Sequence, residues 1–138
     1  RVPNSERRPR EYLTSAEVED LIAAAKSAGR HGLRDATLVL LGFRHGLRVS
    51  ELVTLRRDQV DLDQGVLHIN RLKNGTPSVH PLRGPEIRGL RALFREYPDS
   101  PYAFATERNA PMTASSVRKI VAWAGKIAGI AFPLAQAL

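Results

Sequence analysis

Apolar residues recur with a helical period in the first third of the chain. The segment LTSAEVEDLIAAAKSAG, residues 13–29, begins with Thr14 and has Glu17 three residues later, which is the capping-box pattern of a helix start. Gly29 is placed to end that helix. The apolar positions follow the i, i+3, i+4, i+7 spacing of one helix face: Val18, Leu21, Ile22 and Ala25.

A second helix is predicted in the segment RDATLVLLGFRHG. It is apolar on nearly every side from Ala36 to Phe43, which is typical of a buried helix, and Gly46 would end it. A third, short helix is predicted from about Ser50 through Arg56, with Ser50 as its N-cap.

The period changes to two in the segment GVLHINRLKNGTPSVHPL. The alternation of Leu67, Ile69 and Arg71 predicts a strand, and the following Asn74-Gly75 pair is a strong hairpin signal. Pro77 cannot donate a backbone hydrogen bond, so the second strand is predicted to lie at an edge or to be irregular.

Two further helices complete the pattern. Pro85 suits the first turn of a helix over residues 85–97, and Thr113 is predicted to cap the last helix. The first of these has one apolar stripe: Ile87, Leu90, Leu93, Phe94 and Tyr97. The predicted inner face of the last helix comprises Val117, Ile120, Val121, Ala124, Ile127 and Ala128, with Trp123 off the stripe. The fold class predicted is α+β, a mainly helical domain with a small antiparallel hairpin sheet.

Composition adds a statement about partners. The 138 residues carry 21 Lys+Arg against 14 Asp+Glu, a formal charge of +7, and the pI is about 10.5. This excess favours a polyanion such as nucleic acid, with an anionic membrane surface or a merely soluble basic protein as alternatives. Residues 1–11, with four arginines and two prolines, are predicted to form a basic arm, either a solvated tail or an extended segment along phosphates.

Other features exclude whole classes of site. The chain has no cysteine, which excludes disulfides and thiolate metal sites, and no apolar run approaches the roughly 20 residues of a membrane span. Cytoplasmic residence is therefore the expectation. Because residue 1 is Arg1 and the only methionine is Met112, the chain is expected to be a fragment or a processed product.

Arg48 is the first candidate functional residue. It comes where a buried helix is predicted to have just ended, and Glu51 follows it by three residues. A half-buried guanidinium cannot be neutralised and must meet anions. Two interpretations remain open: a structural Arg48–Glu51 pair that ties two helices together, or a phosphate-binding fork that Glu51 only orients.

Other basic residues are candidates for phosphate contacts. Lys73 stands immediately before the Asn-Gly turn, where a lysine is either a solvated charge or an ammonium carried to a bound partner, and Arg71 lies two residues back on the same face. His45 beside Arg48 would touch either a phosphate or helix-end carbonyls. Arg44 arrives with His45, and Arg118 opens the last helix on a face that would meet DNA or only solvent.

The ordered set of features resembles the catalytic domain of the tyrosine recombinases, the phage integrase family, and especially its small fimbrial-switch type. The segment HINRLKNGTPSVHPL is similar to the family's lysine hairpin, and TASSVRKIVAWAGKIAGI to the helix that precedes its second arginine motif. The resemblance covers residues 12–130, followed by the non-matching apolar tail 131–138. The family's first arginine motif and its continuation are matched at Gly46, Arg48, Glu51, Leu52, Leu55, Asp58 and Asp61.

The resemblance implies a reaction and roles for these residues. Family members break a DNA strand through a 3′-phosphotyrosyl intermediate and rejoin it, without a metal or other cofactor. Arg48 matches the first of two arginines that stabilise charge on the phosphate, with Glu51 as its orienting partner. Lys73 matches the acid that protonates the leaving 5′-oxygen. Duplex DNA is the implied partner, with Arg71, His45, Arg44 and Arg118 as further contacts.

The chain departs from the family pattern after residue 130. No histidine follows His80, no arginine follows Arg118, and the three tyrosines, Tyr12, Tyr97 and Tyr102, precede the place of the nucleophile. The chain is therefore expected to hold the first half of an active site, to bind DNA without cleaving it alone, and to self-associate through uncovered apolar helix faces. The alternatives are a non-enzymatic DNA-binding or regulatory module, and a structural remnant.

Overall fold

The computed structural model describes residues 13–27, 29–70 and 77–130. The helical elements are α1 (Ser15–Ser27), α2 (Gly32–His45), α3 (Val49–Thr54), a 3₁₀ turn (Arg57–Gln59), α4 (Gly84–Glu96) and α5 (Ala114–Ala128). The strands are β1 (Val60–Asp61), β2 (Val66–Asn70) and β3 (Pro77–Pro81). Helices thus dominate the described residues and one small antiparallel sheet accompanies them, which confirms the predicted fold class.

The first two helices begin and end largely where the sequence predicts. At the start of α1 the Glu17 carboxylate accepts the Thr14 N–H at 3.0 Å and the Thr14 hydroxyl accepts the Glu17 N–H at 3.1 Å, so the capping box is formed. Helix α2 is buried along almost its whole length, and Gly46 ends it with φ +63°, a left-handed conformation that glycine adopts without strain.

Helix α3 starts earlier than predicted and is shorter. Its N-cap is Arg48 rather than Ser50, and its last residue is Thr54 rather than Arg56. The reason is that the Glu51 carboxylate accepts the backbone N–H of Arg48 at 2.8 Å and so satisfies the donor that precedes the first turn.

The sheet has the order β1-β2-β3, with both pairs antiparallel. The predicted pairing of two strands is confirmed, with Asn70 opposite Pro77, and β3 is an edge strand as Pro77 indicated. Strand β1 was missed because its two residues are too short to show an alternating pattern. The Asn74-Gly75 turn lies outside the described residues, as do the basic arm 1–11 and the tail 131–138.

Helix α4 starts with Gly84 and Pro85 and crosses α2 closely. At the crossing a Cβ on Gly89 would lie 2.8 Å from the Thr37 hydroxyl oxygen, so only glycine permits this approach. The buried residues Leu90 and Leu93 lie on the predicted stripe.

The last helix, α5, is capped as predicted, since the Thr113 hydroxyl accepts the Ser116 N–H at 3.1 Å. Its buried face includes Val117 and Val121, but Ile127 is 48% exposed, so its place on the inner face is wrong. At 100° per residue, Ile127 points about 80° away from Val117, which takes it off the buried stripe.

One continuous apolar core joins these elements. Helix α5 packs against α1 and α3, while α2 packs against α1 and α4. The largest fully buried side chain is Phe104, in the loop between α4 and α5. Because α2 runs through this core, the residues just beyond each of its ends are placed by packing on several elements at once.

Candidate functional site

The turn from α2 to α3 directs Arg48 outward. Leu47 and Val49 are both buried, whereas Arg48 between them is exposed and has an extended backbone, φ −77° and ψ 158°. In an extended segment neighbouring side chains point to opposite sides, so two core anchors fix the direction of the residue between them. The prediction of a half-buried Arg48 is therefore wrong in its burial, although its place at the rim of the core is as expected.

Glu51 contacts Arg48 through the backbone. Its carboxylate oxygen accepts the Arg48 N–H at 2.8 Å, which fixes φ and ψ at the residue from which the guanidinium extends. Glu51 also supplies the negative charge favoured in the first turn of a helix. The contact orients Arg48 and also supports the fold, so both interpretations of the pair stay compatible with it.

A buried carboxylate lies close to this turn. Glu86, in the first turn of α4, is 0% exposed. One carboxylate oxygen, Oε2, accepts the backbone N–H of Arg83 at 2.9 Å. The other, Oε1, lies 3.2 Å from Nε2 of His45 and 3.8 Å from Nε of Arg44.

These contacts decide the ionisation of Glu86. Burial alone would raise its pKa, because it penalises the charged form. The close approach of His45, the backbone N–H of Arg83 and the positive charge of Arg44 act against burial and lower the pKa below its ordinary value. Glu86 is therefore a buried carboxylate at neutral pH, held by groups at the end of α2.

The His45 side chain is almost fully buried. It is 6% exposed, and besides Glu86 it faces His80 of strand β3, with the two Nδ1 atoms 3.3 Å apart. The rings meet edge to face with centroids 5.2 Å apart. His80 Nε2 is in turn 3.1 Å from the Ser78 hydroxyl. Among the described residues, the polar neighbours of this histidine thus include a carboxylate and a second imidazole.

The remaining predicted site residues are distributed as follows. Arg44 is 31% exposed and, together with Arg83, lines a concavity of about 360 Å³ at the end of α2. Arg118 is exposed near the start of α5. Lys73 and Arg71 lie outside the described residues, between the paired ends of β2 and β3.

A second polar cluster, missed in the sequence, lies at the other end of α2. The Tyr97 hydroxyl is 2.9 Å from Nδ1 of His31, whose Nε2 is 3.2 Å from the Glu107 carboxylate, and Arg30 pairs with Glu107 at 2.8 Å. Burial, together with the nearby carboxylates Glu96, Glu107 and Asp35, raises the pKa of Tyr97. No spacing signal joins these residues, because they come together only through the packing of α2, α4 and the loop after α4.

Tyr97 is consequently remote from Arg48. The 14 residues of α2 separate the His31 end from the Arg48 end, which at 1.5 Å per residue is about 20 Å. Tyr102 lies in the loop that follows α4, with its ring beneath the guanidinium of Arg56 at 5.5 Å. Neither described tyrosine is placed to attack a phosphate held by Arg48.

Some of the basic residues make intramolecular contacts that stabilise the fold. Arg34 is buried, pairs with Asp35 at 2.9 Å and donates to the Ala105 carbonyl at 3.1 Å. Arg57 donates to three carbonyl oxygens at the end of α4 and lies over the Phe94 ring, 4.4 Å from its centroid. Arg48 and Arg118, which are exposed, differ from both.

Two further features of the described residues concern other kinds of site. In the ranges 13–27, 29–70 and 77–130 no helix is long and apolar enough to cross a membrane. The same ranges contain no cluster of three or more His, Asp or Glu side chains arranged to bind a metal ion.

Known proteins are similar to this chain in sequence. The model of the phage integrase family matches residues 11–136. The type 1 fimbriae regulatory protein FimB of Escherichia coli strain K12 is 32% identical over 135 residues, covering 94% of this chain and 67% of FimB. The chain thus spans about two thirds of the length of this relative.

Solved structures agree in fold. The crystal structure of XerA recombinase superposes with a TM-score of 0.74 at 26% identity, over 95% of this chain and 47% of XerA. XerH site-specific recombinase bound to its difH substrate, in a pre-cleavage complex, gives a TM-score of 0.76 at 17% identity, over 94% of this chain and 40% of XerH, and so shows the fold alone. By the extent of the family match, and by its identity to FimB, the chain belongs to the phage integrase family, the tyrosine recombinases.

Proposed function

We propose that this chain is the phosphate-binding part of a site-specific DNA recombinase, and that Arg48 grips the phosphodiester at which the strand is broken. The observation that carries the proposal is the turn itself: an exposed guanidinium fixed between two buried residues, in a chain of the integrase family. A guanidinium stays charged at any working pH and binds two phosphate oxygens at once.

We assign roles to the other residues by their resemblance to the motifs of the family. Arg48 stabilises negative charge on the non-bridging oxygens as the bond to the attacking group forms, with Glu51 keeping its backbone in place. Lys73 donates a proton to the leaving 5′-oxygen, and Arg71, Arg44 and Arg118 add contacts along the DNA backbone. His45 acts through Glu86, since its buried ring leaves little surface for a phosphate.

DNA as the partner is supported by charge and by a relative. The net charge of +7 favours a polyanion, and the XerH structure that shares this fold is a complex with its difH substrate. Action on DNA would place the chain in the cytoplasm, at the nucleoid. The nucleophilic tyrosine is not among the described tyrosines, because Tyr97 is held at the far end of α2.

The test is DNA affinity measured as a function of salt. A phosphate binder shows a steep negative slope of log K against log salt, and removing one phosphate contact reduces the slope by about 0.9. We expect Arg48→Ala to weaken binding of a short duplex about tenfold or more. Arg95→Ala is the matched control, because it removes the same charge from an exposed position in the last turn of α4, at the opposite end of this helix from Glu86. Equal losses in both variants, or no salt slope, would overturn the proposal.

A second candidate function is occupancy of DNA without cleavage, as in a regulatory module. It is favoured by the distance between the described tyrosines and Arg48. A nicked suicide duplex separates the two functions, since cleavage traps the protein covalently on the DNA. A covalent adduct that Arg48→Ala abolishes supports the recombinase; binding without adduct, even when the C-terminal part of a relative is supplied in trans, supports occupancy alone.

Self-association remains a further proposal. On the outer side of α5, Trp123 is 55% exposed and Ile127 is 48% exposed. A second copy of the chain packing on this face would cover both side chains. Sedimentation of the wild type against Trp123→Ser tests this: a concentration-dependent dimer lost in the variant supports it, and a monomer in both excludes it.

A further inference from the structure

We propose that Glu86, His45 and His80 form a positioning network that holds the Arg48 turn against strand β3, and that this network accepts one extra proton but not two. It rests on the proposed function in one respect, namely that Arg48 is the phosphate-binding group. In this proposal the three residues do not contact DNA. They affect DNA binding because they hold the turn that carries Arg48.

The network connects the ends of three elements. His45 is the last residue of α2, Glu86 lies in the first turn of α4, and His80 lies in the edge strand β3. Only Gly46 and Leu47 separate His45 from Arg48. A shift of the imidazole is therefore passed to the guanidinium through two residues, one of which is anchored in the core.

Because the charge of Glu86 is buried, the folded state requires the contact between Glu86 and His45. Glu86 is fully buried and ionised, and its Oε1 lies 3.2 Å from His45 Nε2 without hydrogen-bond geometry. In the part of the chain that the structure describes, neither atom has a hydrogen-bond partner. A buried carboxylate that loses its partner is strongly unfavourable. His45 is thus held in place from α4, and the position of the turn depends on it.

One set of hydrogen positions fits the contacts of the two rings. With the Ser78 hydroxyl donating to His80 Nε2 at 3.1 Å, His80 Nδ1–H donates to His45 Nδ1 at 3.3 Å, while His45 Nε2 lies 3.2 Å from the Glu86 carboxylate. One added proton is accommodated on His80 Nε2, because the Ser78 hydroxyl can turn to accept it. A second added proton gives both Nδ1 atoms an N–H group. The two donors then face each other, and the contact between His45 and His80 is lost.

The charged surroundings act in the same direction. Arg44 on α2 lies 3.8 Å from Glu86, and Arg83 precedes α4, so both disfavour further positive charge here. From α1, Glu19 lines the same concavity as these two arginines and partly offsets them. Histidine is the side chain that most often changes charge near neutral pH, so pH is the variable that tests the network.

The pH dependence distinguishes positioning from direct contact. If His45 bound phosphate itself, DNA affinity would rise steadily as pH falls. If it positions Arg48, affinity passes through a maximum and then falls as the second proton enters. We expect wild type to show the maximum between about pH 7.5 and 5, and His45→Gln to lose the acid-side fall. His31→Gln is the matched control, since it removes a histidine–glutamate contact from the other end of the same helix.

A double-mutant cycle tests the link to Arg48. We expect Glu86→Gln to weaken DNA binding at least about threefold when Arg48 is present and by a negligible factor in the Arg48→Ala background. Equal losses in the two backgrounds would mean that Glu86 only supports the fold, and would overturn the proposal. If Glu86→Gln proves unfolded, His80→Gln, at the outer end of the network, takes its place in the cycle.

Failure of the network and failure of the proposed function give different results. Amide hydrogen exchange of β2 and β3, without DNA, reports the network alone. Protection of the paired amides should fall on acidification in wild type and be low at all pH values in His45→Gln, but be unchanged in His31→Gln. Unaltered protection overturns the network. Pronounced protection changes in a chain that shows no salt-dependent DNA affinity leave the network standing and reject phosphate binding.

Discussion

The two ends of helix α2 use the same pair of residue types in opposite surroundings. At the first end His31 contacts Glu107, which is 53% exposed, and at the last end His45 contacts Glu86, which is 0% exposed. An exposed pair gains little, because water and salt screen it and the side chains lose entropy. A buried pair permits few alternatives, since each charge left unpaired is costly. Arg48, the proposed phosphate-binding residue whose position must be accurate, follows the buried pair in the sequence.

Removal of each carboxylate should give the largest difference in stability between the two ends of α2. We expect Glu86→Ala to lower the free energy of unfolding by about 3 kcal/mol, because it leaves polar groups without their partner and opens a cavity. Glu107→Ala should cost about 0.5 kcal/mol at most. Urea unfolding followed by circular dichroism measures both; equal effects would show that burial does not separate the two ends.

The second prediction concerns the glycine that ends α2. Gly46 has φ +63°, so Gly46→Ala should lower the free energy of unfolding by about 1 kcal/mol, although an added Cβ meets no atom within 4 Å. Because the strain falls two residues before Arg48, DNA affinity should also drop. Gly29→Ala, at a glycine that has open space and no positive φ, is the control. A stable variant with unchanged affinity would contradict the placement of Arg48 by this turn.

The third prediction tests the first end of α2 alone. Tyr97→Phe removes the hydroxyl that contacts His31 and should cost about 1 kcal/mol without changing DNA affinity. The raised pKa of Tyr97 gives this end a pH signature: the stabilisation is complete below the ordinary tyrosine pKa and is lost as pH rises above it. Alkaline unfolding of wild type should therefore be steeper than that of Tyr97→Phe. Loss of DNA binding in the variant would contradict the separation of the two ends.

The smallest expected effect is the acid response of Glu86. Its pKa is lowered in the folded state, so its stabilisation is present above the ordinary glutamate pKa, about 4.3, and is lost as pH falls below that value. The free energy of unfolding between pH 7 and 3 should decline less in Glu86→Gln than in wild type. A decline in Glu86→Gln that parallels the wild-type curve would show that the buried carboxylate does not titrate as described.

The local features of the fold were predictable because they depend on residues a few positions apart. The Thr14–Glu17 box, the helix end at Gly46 and the Thr113 cap each involve a single turn of backbone. The α3 start was placed wrongly, since serine is the commoner cap and the sequence does not show that Glu51 would bond the backbone of Arg48. Arg48 itself was found because the family motif spans only a few residues.

The sequence alone predicted the longer helices and the pairing of β2 with β3, the arginine on a glycine-marked turn, and a surface that favours a polyanion. The tertiary structure decided which polar groups are buried and whom they meet. His45 meets His80 from 35 residues away and Glu86 from still farther along the chain. Such contacts depend on how packed helices cross, and burial converts an ordinary pair of histidine and glutamate into a constraint because water no longer competes for their charges.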